Sequence, residues 1–366
     1  MTGSFPVIEA AGPPLERGRQ IGRQIGDRLA TSIAIYDRLL QQRGLDWAQV
    51  RAIAGRYLPR LEAYDAGITA EIRGIAEGAE RAVEDIVALN ARTELLYDRS
   101  LRSDPAPDGC TGAILTPDAT ANGHLLHGQN WDWLDACKDS AIVMRLEREN
   151  GERLLIFVEA GIVARAGMNS RGIAVTGNFL SCDQLPAEHA VPLPLMRRKI
   201  LEAETFAQAV GVVYKARRSF ANNLMISHAD GEAIDLETTP QEIFWEKPEQ
   251  GLLVHANHFR TAAARARVVD TGLSSSPSSI YRDSRVERRL RQGGGSLTVS
   301  DLQDAFSDKW GWPSGVLAAP GSDDSSGEEL HSTVATVIMD TTDRVMWIAR
   351  APYEGTIAYT EYRLDA

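Results

Sequence analysis

Apolar residues recur every three or four positions through the first hundred residues, and this spacing is typical of amphipathic helices. A long helix is predicted over 15–43, where arginine and glutamine fill the opposite face. A second helix is predicted over 46–64, in which Pro59 can kink or break the helix. Apolar stripes before Gly78 and over 83–97 predict two more helices, so this part of the chain is expected to be mostly helical.

The apolar period falls towards two after Cys110, and turn signals such as Asn122-Gly123 and Asp230-Gly231 recur at short intervals. Strands are predicted at 110–115, 124–131, 141–149, 153–160, 162–168, 172–178, 222–228, 232–238, 242–246, 251–257, 333–340, 344–350 and 355–362. Helices are predicted at 195–216, 284–292 and 300–309, and loops at 103–108 and 319–332. Helices followed by many antiparallel-looking strands predict an α+β fold.

The composition narrows the class of protein. With 366 residues and 43% hydrophobic content, the chain can bury most of its apolar surface without disulfides. A net charge of −11 argues against a nucleic-acid partner, because phosphate binding needs a basic face. No apolar run predicts a membrane helix, and Met1 to Pro14 lacks the pattern of a signal peptide. Three cysteines predict no disulfide framework, so we expect a cytoplasmic protein.

The tetrapeptide Asp108-Gly109-Cys110-Thr111 lies where the helical pattern gives way to strands. A thiol reacts as the thiolate, and an α-amine with a pKa of about 7.7–8.0 can take its proton. If the protein cuts its own Gly109–Cys110 bond, Cys110 carries nucleophile and base on one residue. Gly109 suits that step because it has no Cβ to obstruct attack on its carbonyl. These four residues alone leave open the alternative that Cys110 is a small buried hydrophobic residue.

A second motif, Gly128-Gln129-Asn130-Trp131-Asp132-Trp133, follows the Gly-Cys-Thr junction. Weaker matches occur in the expected order at 74–79, 89–94, 167–173, 178–179, 255–259 and 283–285, and in the closing strands from Ser332. Together these segments resemble the acyl-coenzyme A:6-aminopenicillanic acid acyltransferase family, also described as isopenicillin N acyltransferase-like or peptidase C45. Its members are cysteine N-terminal-nucleophile (Ntn) hydrolases, and the resemblance spans nearly the whole chain.

This resemblance implies a four-layer αββα Ntn-hydrolase sandwich of two antiparallel sheets flanked by helices. It also implies autoproteolysis at Gly109–Cys110. One domain would then be cut into a helical pro-segment or α-subunit, 1–109, and a β-rich catalytic β-subunit, 110–366. The mature enzyme is expected to be an α/β heterodimer acting on a small-molecule amide or acyl substrate. It is expected to need no cofactor.

The resemblance also assigns roles around the nucleophile. Asp132 would orient the amine or thiol of Cys110, and Asn257 would hold the oxyanion. Asn178 is a second candidate donor, by analogy with the bile-salt hydrolase and penicillin V acylase group. Arg285 would favour the thiolate, with Ser284 in the same network. The alternative for the two asparagines is backbone capping, and for Arg285 it is a solvated arginine cluster.

The remaining residues with reactive or aromatic side chains receive weaker expectations. The tryptophans considered for a substrate pocket are Trp131, Trp133, Trp310 and Trp312, with the last two as a possible rim. Cys137 and Cys182 are expected to have no catalytic role. No metal site is predicted, because a spacing of three places His124 and His127, and likewise His255 and His258, on opposite faces of a strand.

The function predicted from the sequence is an autoproteolytic cysteine Ntn amidohydrolase or acyltransferase working through a thioester acyl-enzyme, with hydrolysis favoured. One alternative is an acyl-coenzyme A-dependent N-acyltransferase. Another is an acylase of the bile-salt hydrolase or acid ceramidase kind, although the long segment before Cys110 argues against the bile-salt hydrolase version. A third is a non-catalytic binding protein on the same fold.

Overall fold

The computed structural model describes residues 3–96, 109–185, 190–294, 296–321 and 330–365. The predicted loop 103–108 and most of the predicted loop 319–332 lie outside the described residues. The helices are α1 (Pro14–Gln24), α2 (Gly26–Gln42), α3 (Trp47–Gly55), α4 (Leu58–Tyr64), α5 (Ala66–Gly78), α6 (Val83–Asn90), α7 (Arg92–Leu96), α8 (Leu193–Leu201), α9 (Phe206–Lys215), α10 (Ala262–Arg267), α11 (Ser279–Gln292) and α12 (Val299–Phe306). A short 3₁₀ helix covers Asp135–Asp139.

The strands are β1 (Val7–Ala11), β2 (Thr111–Leu115), β3 (Leu126–Leu134), β4 (Ala141–Glu147), β5 (Arg153–Glu159), β6 (Ala166–Asn169), β7 (Ile173–Thr176), β8 (Asn222–His228), β9 (Ala233–Thr238), β10 (Ile243–Glu246), β11 (Leu252–His255), β12 (His331–Asp340), β13 (Val345–Arg350) and β14 (Tyr359–Arg363). They form an eight-stranded sheet in the order β1-β4-β5-β6-β7-β8-β9-β10 and a six-stranded sheet in the order β11-β2-β3-β12-β13-β14. Adjacent strands are antiparallel except β1 and β4, which are parallel.

The predicted helix over 15–43 is two helices, α1 and α2, which meet at Ile25. The two helices have different neighbours, because α1 packs against α5 whereas α2 contacts α3 and α6. The contact of α1 with α5 is so close that a Cβ on Gly18 would lie 2.2 Å from the carbonyl oxygen of Glu71. A single straight helix could not follow both sets of neighbours.

Other boundaries also differ from the predictions. Pro59 lies in the first turn of α4, and the predicted helix 46–64 is broken just before it, as a proline allows. The predicted helix 195–216 is interrupted before Thr205, whose side chain caps α9. Strand β1 was not predicted, since it is only five residues long and pairs with a strand more than 130 residues away.

The contacts between helices and strands define the order of the layers. The eight-stranded sheet is covered by helices that include α1, α8 and α9, and the six-stranded sheet is covered by α11 and α12. The two sheets face each other through contacts of β2 with β8 and β3 with β7. The order of layers is therefore helices, sheet, sheet, helices, which confirms the predicted αββα sandwich.

Strand β2 sits inside the six-stranded sheet, between β11 and β3, and all five of its residues are buried. Its side chains alternate between two faces, as strand geometry requires. Ala113 and Leu115 pack in the core cluster formed with α11 and α12. Ile114 packs with Met225 of the opposite sheet. Cys110 lies four residues before Ile114, so the alternation of a strand places both residues on the face between the two sheets. Cys110 is therefore at one end of the sandwich, between its sheets.

Candidate active site

Cys110 lies immediately before β2 and is fully buried. Its thiol donates to the backbone carbonyl of Asp132 with an Sγ···O distance of 3.7 Å. Arg165 approaches from the other side, with Nη2 3.6 Å from Cys110 Sγ. The Arg165 guanidinium stacks on the Trp131 ring at 4.1 Å, which fixes its position. A cation beside the sulfur stabilises the thiolate relative to the thiol.

Arg282 holds the backbone on both sides of the Gly109–Cys110 bond. Its Nη1 donates to the carbonyl oxygens of Gly109 and Cys110, the latter at 2.6 Å, and to Thr111 Oγ1 at 2.8 Å. Its Nη2 donates to Asn257 Oδ1 at 2.8 Å. Only 1% of Arg282 is exposed, so these contacts act in a low-dielectric environment.

Arg285 and Ser284, the residues predicted for this position, lie elsewhere on α11. Arg285 pairs with Asp308 and stacks on Trp310 at 4.6 Å. Ser284 is exposed and donates to the carbonyl of Tyr281. The cation at the junction is thus Arg282, one helical turn earlier. Helix α11 begins five residues before the predicted helix and so includes Arg282.

Asp132 is buried next to the junction, and its predicted role towards the Cys110 amine or thiol stays a prediction. Its Oδ1 accepts a hydrogen bond of 2.6 Å from Thr333 Oγ1 of β12. Its Oδ2 lies only 2.8 Å from the point where a Cβ on Gly109 would be. The carboxylate therefore lies against the residue whose bond to Cys110 is the predicted cleavage site, and any side chain there would collide with it.

Asn257 reaches the same region from the loop after β11. Its Oδ1 accepts from Arg282, and its Nδ2 donates to the carbonyl of Phe179 at 2.9 Å. An amide carries two N–H groups, and within the described residues only one of them is used. The side chain is 4% exposed and is fixed at both ends. This geometry leaves one oriented N–H donor near the junction.

Asn178 is fully committed to protein contacts. Its Nδ2 donates to Asn223 Oδ1 and to the carbonyl of His255, each at 3.1 Å, and its Oδ1 accepts from Gln129. Both N–H groups are thus occupied. Its present hydrogen bonds join the two sheets, so Asn178 supports the site rather than presenting a donor to it.

A buried charged network fixes the loop that carries Asn257. On the side before the loop, the carboxylate of Glu237 forms a hydrogen bond of 3.0 Å with the ring of His255. On the side after the loop, the same carboxylate accepts hydrogen bonds from the Thr261 hydroxyl and from the backbone N–H of Arg260. Burial alone would lower the pKa of His255, but Asp235 and Glu237 raise it to about 9. His255 is therefore a cation held by carboxylates, and Glu237 links both ends of the loop.

The weaker predictions have mixed outcomes. Trp131 and Trp133 are buried, whereas Trp310 and Trp312 are 55% and 45% exposed, and their rings contact Arg285 and Lys309, respectively. Cys137 is buried against Glu159, and burial raises the pKa of its thiol.

The expectation that His255 and His258 lie on opposite faces is wrong. Strand β11 ends at His255, and the two rings stack with centroids 6.4 Å apart. Within the described residues, one group could hold an ion: the ligand atoms of His124, Asp340 and Asp343 lie within 4.8 Å of one another. The prediction that the protein needs no metal stays a prediction.

Similarity to known proteins is consistent with this geometry. Residues 119–352 match the family described as acyl-coenzyme A:6-aminopenicillanic acid acyl-transferase. Over 266 residues the chain is 31% identical to the acyl-coenzyme A:6-aminopenicillanic-acid-acyltransferase 40 kDa form of Emericella nidulans. The aligned region covers 72% of this chain and 70% of that relative. The chain belongs to this acyltransferase family.

The fold has relatives beyond the family. A mutant conjugated bile acid hydrolase from Clostridium perfringens superposes with a TM-score of 0.50 at 16% identity, over 70% of this chain and 94% of that one. This likeness shows a shared Ntn-hydrolase fold. Family membership makes the chain an enzyme that transfers acyl groups or hydrolyses amides. The family match begins after Cys110, so the roles of the junction residues depend on the geometry described above.

The residues missed from the sequence are Arg165 and Arg282. Arg165 lies in the connection before β6 and belongs to none of the matched motifs. Arg282 was considered only as one member of an arginine-rich stretch. The sequence feature that could have identified Arg282 is its position three residues before Arg285, since residues three apart share a helical face.

No helix among the described residues is long and apolar enough to cross a membrane.

Proposed function

We propose that the chain cuts itself between Gly109 and Cys110 and then uses Cys110 as an N-terminal nucleophile on an amide or other acyl substrate. The observation that carries this proposal is the position of Arg282, whose guanidinium donates to the carbonyl oxygen of Gly109 beside a buried thiol. A packing cysteine would need no cation on the preceding carbonyl. A nucleophile that attacks this carbonyl does need one.

Self-cleavage follows from these contacts. The Cys110 thiol loses its proton as the sulfur bonds to the carbonyl carbon of Gly109, and Arg282 stabilises the negative charge that develops on the oxygen. The C–N bond then breaks, and the Cys110 nitrogen takes up the proton released by the thiol and becomes a free amine. Water hydrolyses the resulting thioester, which leaves a carboxylate on Gly109 and a free thiol on Cys110.

The same groups then serve the substrate. The new α-amine takes the thiol proton, and the thiolate attacks the substrate carbonyl to form a thioester. The free N–H of Asn257 and the Arg282 cation are the proposed oxyanion donors, and Asp132 orients the amine. The proton passes to the leaving group, and water or an amine then takes the acyl group.

The fragments 1–109 and 110–366 would stay together as an α/β heterodimer. Glu71 of α5 accepts from Arg198 of α8 at 2.6 Å and 2.8 Å, and Arg17 pairs with the same carboxylate. This cluster is buried and joins the two sides of the proposed cut. The support for a heterodimer is that breaking one peptide bond removes none of these contacts.

Hydrolysis and acyl transfer differ only in the acceptor. The Emericella nidulans relative is named as an acyltransferase, which favours an amine as acceptor and a coenzyme A thioester as one donor. The bile acid hydrolase fold shows that the same framework supports hydrolysis. We propose that the enzyme acts on N-acyl amides, whether the acyl group passes to water or to an amine.

Intact-mass measurement of the purified protein tests the proposal. Two pieces of 109 and 257 residues are expected, because the cut would divide the 366 residues after Gly109. Cys110→Ala should remain one chain, and Cys137→Ala, which changes another buried cysteine, should be cut normally. A wild-type chain that stays whole and still hydrolyses N-acyl amines would exclude the N-terminal-amine mechanism.

A further inference from the structure

Self-cleavage makes Gly109 the first acyl group that the enzyme transfers. In the proposed reaction, the Cys110 sulfur forms a thioester with the carbonyl carbon of Gly109, and the later acyl-enzyme is a thioester on the same sulfur. Arg282 donates to the carbonyl oxygen of Gly109, and it is also a proposed oxyanion donor for the substrate. The acyl group of a substrate must therefore take the place that Gly109 occupies before the cut. The surroundings of Gly109 are thus the walls of the acyl site.

The wall beside the α-carbon of Gly109 is Asp132. A Cβ of L configuration on Gly109 would lie 2.8 Å from Asp132 Oδ2, 3.2 Å from its Cβ and 3.4 Å from its Cγ. Carbon atoms in favourable contact are about 3.5–4.0 Å apart. Rotation of the carboxylate can move Oδ2 away, but the Cβ of Asp132 is fixed to the backbone of β3. An L-configured branch at this α-carbon therefore meets an obstacle that a rotamer change does not remove.

Asp132 is also held from its other side. Its Oδ1 accepts a hydrogen bond of 2.6 Å from Thr333 Oγ1, which in turn accepts one of 2.8 Å from the backbone N–H of Ala318. Asp132 and Thr333 are partners in the register of β3 and β12, and both are buried. The carboxylate therefore cannot move away from Gly109 without breaking its hydrogen bond to Thr333.

The acyl site is open on the side of Gly109. Gly109 is half-buried, whereas Cys110 and Thr111, which follow it, are buried. The rest of an acyl group can therefore extend outwards, while its α-carbon lies against Asp132. The restriction applies to branching at the α-carbon, because the contacts with Asp132 are made there.

We propose that Asp132 determines the acyl specificity of the enzyme, and that the acyl groups accepted have an unbranched α-carbon, as glycyl and straight-chain acyl groups do. Acyl groups with an L-configured branch at the α-carbon are rejected, and these include the L-amino acyl groups of ordinary peptides. The enzyme is then an acylase for α-methylene acyl groups and not a peptidase of broad specificity. The inference deepens the proposed function and rests on it, since it needs Cys110 as the nucleophile.

Acylation of the processed protein by two activated esters tests this specificity. The p-nitrophenyl esters of N-benzyloxycarbonylglycine and N-benzyloxycarbonyl-L-alanine differ by one methyl group at the α-carbon, and release of p-nitrophenolate gives the rate. Each rate is divided by the rate with free cysteine, which removes the intrinsic difference in reactivity, and Cys110→Ala gives the background. The corrected glycyl rate should exceed the L-alanyl rate at least about tenfold, because overpacking in a fixed site is costly.

Two variants of Thr333 connect this ratio of rates to Asp132. Thr333→Val removes the hydroxyl that holds Asp132 Oδ1 and keeps the size of the side chain, so the ratio should fall about threefold or more with the loss of that hydrogen bond. Thr333→Ser keeps the hydroxyl and should keep the wild-type ratio. Each ratio is measured within one protein, so a general loss of activity does not change it. If Thr333→Val is not processed, the wild-type ratio decides alone.

The outcomes separate this inference from the proposed function. Equal corrected rates for the two esters would overturn the inference and leave the proposed function intact. A ratio that is the same in Thr333→Val and wild type would overturn the assignment of the specificity to Asp132. Intact mass identifies the acylated fragment, which should be 110–366. A chain that stays uncut, or that is cut and acylated by neither ester, would overturn the proposed function and this inference with it.

Discussion

Arg282 donates a hydrogen bond to the carbonyl oxygen of Gly109, a residue 173 positions earlier in the chain. The same guanidinium reaches Asn257, so one side chain connects the proposed cleavage bond with the proposed oxyanion donor. A guanidinium keeps its proton at every pH at which proteins fold. The charge needed to stabilise an oxyanion is therefore built into the unprocessed chain.

We expect Arg282→Lys to slow self-cleavage by about 100-fold, which corresponds to loss of one strong oxyanion contact. Lysine keeps the charge, but a single ammonium cannot reproduce the forked contacts of the guanidinium. The rate is measured by intact mass at intervals after synthesis, with circular dichroism to verify folding. Arg285→Lys is the matched control on the same helix and should be cut at the wild-type rate. Equal slowing in both variants would assign the effect to α11 as a whole.

Gly109→Ala should slow self-cleavage by at least tenfold. The new Cβ would lie 2.8 Å from Asp132 Oδ2, so either the carboxylate or the scissile carbonyl must move. Overpacking of this kind costs about 1–3 kcal/mol. Gly211→Ala is the control, because nothing lies within 4 Å of a Cβ at that position. Normal processing of Gly109→Ala would show that Asp132 tolerates the displacement and that the close contact is incidental.

Asn257→Ala should reduce kcat for an N-acyl amide by about 10²–10³ with little change in KM, since an oxyanion donor acts mainly on the transition state. The exposed Asn122→Ala should leave both constants unchanged. The pair is compared on the best substrate from a panel of N-acyl amines and acyl-coenzyme A thioesters. A rise in KM with unchanged kcat would instead make Asn257 a substrate-binding residue.

The fold was more predictable than the site. The change of period at Cys110 identified the boundary between helices and sheets, because periodicity is a local property. The contacts of Arg282 and Arg165 with the junction span 172 and 55 residues, and no local pattern encodes them. Arg285 was chosen because the resemblance assigned an arginine near the nucleophile to that position, whereas Arg282 was one of four arginines in a short stretch. The two residues lie three apart on one helix, and only their long-range contacts distinguish them.

Glu71→Ala should destabilise the protein by about 3–5 kcal/mol, because it leaves Arg17 as a buried cation without its carboxylate and leaves Arg198 paired with Glu202 alone. The free energy of unfolding is measured in urea on a Cys110→Ala background, so that a single intact chain unfolds. Glu77→Ala removes the exposed partner of Arg19 and should change the free energy of unfolding far less, because solvent screens that pair. Similar losses in the two variants would contradict a special role for the buried cluster.

His255 should make the protein less stable as the pH rises. Its pKa is about 9 in the folded chain, against a usual value near 6.5, so its favourable pairing with Glu237 is fully present below pH 6.5. That contribution is lost as the pH rises through 9. Asp235 acts in the same direction at lower pH, because burial raises its pKa to about 7 and its ionisation therefore costs stability.

We expect the free energy of unfolding of the Cys110→Ala chain to fall between pH 6.5 and pH 9, by no more than about 3 kcal/mol from His255. His255→Gln should flatten this profile, whereas His124→Gln, at a partly exposed position, should keep it. Urea unfolding at four pH values across the window measures the slope. An unchanged slope in His255→Gln would mean that another group carries the pH dependence, and that the loop bearing Asn257 is not held by a charged histidine. A flattened slope in that chain, together with slower cleavage of His255→Gln in the chain that keeps Cys110, would connect the His255–Glu237 pair to the position of Asn257.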